Sequence, residues 1–118
     1  MAIALVALIA LLHLYIMVLE MLLWTGPQGQ RAFGITAAFA QSTKALAANQ
    51  GLYNGFLAAG LIWALIAGVN DAGRPPALFF LSCVLVAGVF GAATANRRIL
   101  FIQAVPAALG LLAVLTGL

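Results

Sequence analysis

Two ionisable side chains, His13 and Glu20, stand inside a long apolar run of this chain, and both can take up or release a proton. Polar groups are costly in hydrocarbon, so each asks for a partner or a purpose. Val6, Ala10, His13, Met17, Glu20 and Trp24 recur at 4-3-4-3-4 spacing, which sets them on one helix face. His13 and Glu20 are then two turns apart, roughly 10 Å along the axis, too far to share one ion. A second cluster, Asn49, Gln50, Tyr53 and Asn54, covers an arc of about 140° on a helix. Its amides suit a small hydrogen-bonding ligand, or interhelical bonds worth about 1 kcal/mol each. Gln103 stands three residues before Pro106, whose missing N–H frees the Ile102 carbonyl and kinks the helix.

These residue types support a narrow range of chemistry. Glu20 is the sharpest candidate, as a proton carrier or substrate anchor. The structural alternative has it bonded to Gln50, Gln103 or Arg97, holding helices together. Burial disfavours its charged form and an inward-reaching Arg97 or Arg98 favours it, which leaves its charge open. His13 would relay protons or hydrogen-bond Asn54, and Tyr15 or Tyr53 would donate a proton or simply pack. One histidine, one cysteine and two acids are too few for a closed metal site, so no metal or other cofactor is expected. Cys83 has no basic neighbour within a turn and reads as packing. There is no HExxH, no G-x-S-x-G elbow and no P-loop.

The elements that position these groups follow from composition. The chain is 66% hydrophobic and only 6% charged, against about 25% charged in a soluble domain. That is too little charge to wet a globular surface, so the lipid bilayer is the expected surrounding. Apolar runs predict spans at about 2–24, 44–69, 76–95 and 99–118, each long enough to cross a bilayer. Thr25-Gly26-Pro27, Asn70 to Arg74, and Asn96-Arg97-Arg98 are the turns between them. Thr36 caps a short interfacial helix from about Ala37, and Pro75-Pro76 suits the first turn of the third span. Gly51-x-x-x-Gly55 lets two helix backbones approach closely. Leu52, Phe56 and Trp63 fall on an arc assigned to lipid.

The expected fold is all-α: one integral membrane domain over 1–118, an antiparallel four-helix bundle. The net charge of +3 comes from five basic residues, set singly or in one pair, against two acids, which argues against nucleic acid as a partner. Arg31, Lys44, Arg97 and Arg98 fall in the first and third loops, and Arg74 alone on the other side. The positive-inside rule then sets both termini outside the cytoplasm. Counting from the cytoplasmic ends, Glu20, Gln50 and Gln103 lie about 6 to 9 Å deep, and His13 and Asn54 about 15 to 17 Å. Two polar layers inside the membrane are therefore expected, with His13 paired to Asn54.

The segments LLHLYIMVLEMLLW (11–24), LAANQGLYNGFLAAGL (46–61) and FIQAVPAALGLL (101–112) carry a resemblance over nearly the whole chain. The sequence resembles the bacterial family filed as domain of unknown function 1304, small proteins with four predicted spans. The resemblance implies a bacterial inner-membrane protein and brings no activity with it. The positions that match the family's polar motif are His13, Glu20, Asn49, Gln50, Tyr53, Asn54 and Gln103. Three readings stay open: an intramembrane polar pocket that binds or conducts a small molecule or protons, a membrane enzyme using Glu20 or His13, or a structural subunit. The first is slightly favoured, and a homo-oligomer is expected because four helices are few for a monomeric channel.

Overall fold

A computed structural model describes residues 1–118, and every regular element in it is helical. Helix α1 covers Ala2–Met21, α2 Pro27–Phe33, α3 Ala37–Ser42, α4 Lys44–Ala67, α5 Arg74–Thr94 and α6 Val105–Thr116. Helices α1, α4 and α5 are each long and apolar enough to cross a membrane. The apolar stretch Leu100–Thr116, which contains α6, is shorter.

Helix ends follow local chemistry. Helix α1 stops at Met21, three residues short of Trp24, and the chain turns through Gly26. Pro27 opens α2, a helix not expected from the sequence, and Gly34 closes it in the left-handed conformation at φ 63°. The Thr36 hydroxyl accepts from the Phe39 N–H at 3.1 Å, the cap expected for α3. Beyond α4 the backbone swings through Gly68–Ala72, where Gly68 takes φ 94°, a conformation that side chains rarely tolerate. The Gly73 N–H reaches back five residues to the Gly68 carbonyl at 2.8 Å, and α5 starts at Arg74 with its prolines in the first turn. A second wide turn, Leu100–Ala104, precedes α6, and the Val105 N–H again bonds five residues back, to Leu100. This widening of the ladder ends just before Pro106, where the sequence predicts a disrupted helix.

The residues divide into two compact units, one of 1–11 and 57–118, the other of 12–56. Helices α1 and α4 each contribute to both. In the first unit, Val6 and Ile9 of α1, Leu61 and Ala64 of α4, Leu81 and Val84 of α5, and Ala107 and Val114 of α6 make one apolar core. Small residues set the contact of α5 with the chain before α6. A methyl group on Gly88 would stand 2.8 Å from the Ala104 nitrogen, and one on Gly91 would stand 3.2 Å from Ile99. These contacts run in opposite directions along the two segments, so α5 and the returning chain are antiparallel neighbours, as the short 96–98 connection requires. The Asn96 side chain closes that connection by accepting from the Arg98 N–H at 2.9 Å. At the other end of this unit the Met1 nitrogen donates to the Leu118 carbonyl at 3.0 Å.

In the second unit the later half of α1 packs on the earlier half of α4 through the small-residue motif. A methyl on Gly51 would lie 2.5 Å from Met21 Cγ, 3.1 Å from Glu20 Cβ and 3.2 Å from the Met17 carbonyl oxygen. A methyl on Gly55 would lie 2.8 Å from Met17 Sδ. The chain between these helices is tied by Trp24. Its indole N–H donates to Thr43 Oγ1 at 3.0 Å, and its ring lies 4.9 Å from that of Phe33.

Candidate functional site

The glycine face of α4 determines which polar side chain meets α1. At about 100° per residue, Asn54 lies some 60° from Gly51 around the helix, whereas Gln50 lies about 100° away and Asn49 and Tyr53 point nearly opposite. Only Asn54 is therefore close enough to the contact to reach across it. Its amide nitrogen donates to Glu20 Oε1 at 2.6 Å and to the Gln50 carbonyl at 3.2 Å. Both of its protons are thereby used. The carboxyl of Glu20 is half-buried, as is Asn54.

This arrangement differs from the two layers expected by residue count. Depth alone paired Asn54 with His13 and set Glu20 in one layer with Gln50 and Gln103. In the structure the Asn54 nitrogen serves Glu20, and Gln50 takes part through its backbone carbonyl. Asn and Glu side chains extend along the helix axis as well as outward, so a difference of several ångströms in Cα depth does not prevent a bond. The side chains of Asn49, Gln50 and Tyr53 are exposed. Gln103 is half-buried within the wide turn before α6, in the other unit.

His13 is fully buried, and the helical face assigned to it behaves as one. Val6 and Ala10 are buried, and Met17, Glu20 and Trp24 half-buried. The opposite side of α1 carries Leu8, Leu11 and Tyr15, all more than half exposed. Leu52, Phe56 and Trp63, assigned to lipid, are likewise exposed. Two open apolar grooves lie along α5. One of about 500 Å³ is lined by Phe79, Ser82, Cys83, Val86, Ala87 and Phe90. The other, of about 550 Å³, is lined by Leu85, Val86, Val89, Phe90 and Ala93. None of the seven polar candidates lines either groove. The Glu20–Asn54 pair lies away from both grooves and joins two long apolar helices by a hydrogen bond.

Sequence reasoning missed α2 and the Trp24–Thr43 tie. The signal for α2 was present, with Pro27 at a first helical position and Gly34 seven residues later at a terminating one.

Comparison with known proteins gives two findings. A family model described as "Protein of unknown function (DUF1304)" matches residues 7–115. The chain is similar to "Uncharacterized protein YpaA" of Lactococcus lactis subsp. lactis (strain IL1403), 31% identical over 98 residues covering 81% of each chain. No solved structure matches the chain.

Proposed function

The chain belongs to this family of proteins of unknown function, and from that premise we propose that it is a four-span bacterial inner-membrane protein that handles a proton or a small hydrogen-bonding ligand at the Glu20–Asn54 pair. The observation that carries the reading is the 2.6 Å bond from Asn54 to a half-buried carboxyl in a helix long and apolar enough to cross a membrane. An ionisable residue inside a span marks a transport, relay or binding site more often than a packing device, because the cost of placing it there is otherwise uncompensated. An amide beside the carboxyl can donate to either protonation state, so the pair tolerates proton exchange without losing its bond.

Two further observations support the topology. The bond between Met1 and Leu118 brings the chain ends together, which favours an even number of crossings with Leu100–Thr116 as the fourth. Arg31, Lys44, Arg97 and Arg98 are exposed, as residues at a cytoplasmic surface would be.

A structural reading is favoured by a different contact, the approach of Gly51 to Glu20 Cβ, which puts the pair at a tight helix crossing where it would serve as glue. Glu20→Gln separates the two readings, since it keeps shape and hydrogen bonding while removing the acid. Purified protein in liposomes containing a pH-sensitive dye, under a potassium–valinomycin potential, should admit protons faster than empty liposomes. The variant should fold normally and fall to the empty-liposome rate. If the role is ligand binding, mass spectrometry of the intact protein released from membranes should show an adduct that the variant lacks. A variant indistinguishable from wild type in both assays would leave the pair as glue.

A further inference from the structure

Opposite its glycine face, α4 carries a second ordered stripe. Leu46, Asn49, Tyr53 and Phe56 follow 3-4-3 spacing and fall within an arc of about 80°, centred nearly opposite Gly51. All four are exposed, Leu46 at 66%, Tyr53 at 52% and Phe56 at 55%. Tyr53 and Phe56 hold each other in a tilted contact with ring centroids 6.1 Å apart, which stiffens the surface they present. Gln50, also exposed, flanks the stripe. We propose that this stripe is a self-association seam, at which α4 of one copy packs against α4 of another with Asn49 facing Asn49.

The proposal rests on the reading of α4 as a membrane span. By residue count from Lys44, Asn49 lies about 7 Å and Tyr53 about 13 Å into the span. Lipid can pack against Leu46 and Phe56, but it offers no hydrogen bond to an amide or a phenol at that depth. A second copy supplies that bond. Copies inserted the same way share one topology, so a symmetry axis along the membrane normal brings each residue to its own counterpart at equal depth. An amide is self-complementary in such a contact, because each side chain carries both a donor and an acceptor. A stripe mixing amide, phenol and apolar groups at 3-4-3 spacing also fits side-by-side helix packing.

Disulfide cross-linking in isolated membranes tests the seam. Single cysteines are placed in a Cys83→Ser background as Leu46→Cys, Asn49→Cys, Tyr53→Cys and Phe56→Cys. Leu52→Cys and Ala59→Cys, also exposed but off the stripe, are the controls. The expected result is oxidised dimer several-fold above the controls at the four seam positions. Asn49→Leu should also weaken self-association of fluorescently labelled protein in detergent by about tenfold. Membrane-integrated protein that resists carbonate extraction but gives equal cross-linking at all six positions, or none, would overturn the seam. A cross-linked band of another mass in place of the dimer would overturn it in favour of a different partner. Protein that washes out of the membrane would overturn the spanning reading and the seam with it. An unchanged dissociation constant for Asn49→Leu would contradict the role given to the amide.

Discussion

Asn54 binds two acceptors through one nitrogen, the Glu20 carboxyl and the Gln50 carbonyl one turn below it. The second bond fixes the amide against its own helix, so the first is made by a pre-oriented donor. Replacing Asn54 with leucine would remove that donor and leave a half-buried carboxyl beside an apolar group. Interhelical bonds of this kind contribute roughly 0.6 to 2 kcal/mol each. A double-mutant cycle of Glu20→Ala and Asn54→Ala, read by denaturant unfolding in detergent micelles, should give a coupling of about 1 kcal/mol. Coupling indistinguishable from zero would mean that the bond does not hold the helices together. The functional reading requires more, since the acid itself must be needed after the bond is conserved. That is why Glu20→Gln, and not Glu20→Ala, decides it.

At the scale of elements, the α1–α4 contact depends on backbone approach at one glycine more than at the other. A methyl at Gly55 meets only the flexible end of Met17, which can move aside. A methyl at Gly51 meets the Met17 backbone carbonyl and Glu20 Cβ as well as Met21. Gly51→Ala should therefore destabilise the protein by about 1 to 3 kcal/mol, the usual range for an overpacked contact, and Gly55→Ala by clearly less. Thermal unfolding in detergent measures the order, and an equal or reversed order would contradict this geometry. The close approach was legible in the sequence because its cause is local, two glycines four residues apart in an apolar run. The partner of Glu20 was not. Depth counted along two helices says nothing of their relative rotation, and that rotation selects Asn54 over Gln50. The short helix α2 was missed because seven residues of PQGQRAF carry too little periodicity to outweigh the Gly and Pro beside them.

For the whole molecule, the reading of the sequence holds where the bilayer would dictate the answer. An all-helical chain with three helices able to cross a membrane follows from its scarcity of charge and its long apolar runs. The proposed fourth span is harder to see, because Pro106 and the wide turn at Leu100–Ala104 shorten the regular helix that remains. Its crossing is a proposal, supported by the meeting of Met1 with Leu118. Thiol labelling from either side of the membrane tests the crossings of α4 and α5 directly, with Gln28→Cys, Ala72→Cys and Asn96→Cys made singly in a Cys83→Ser background. All three positions are exposed, and Ala72 replaces the adjacent Gly73, where a side chain would strike the Ala64 carbonyl. Positions 28 and 96 should label only from the cytoplasmic side and position 72 only from the opposite side. Labelling of 28 and 72 from the same side, or of 28 and 96 from opposite sides, would contradict it.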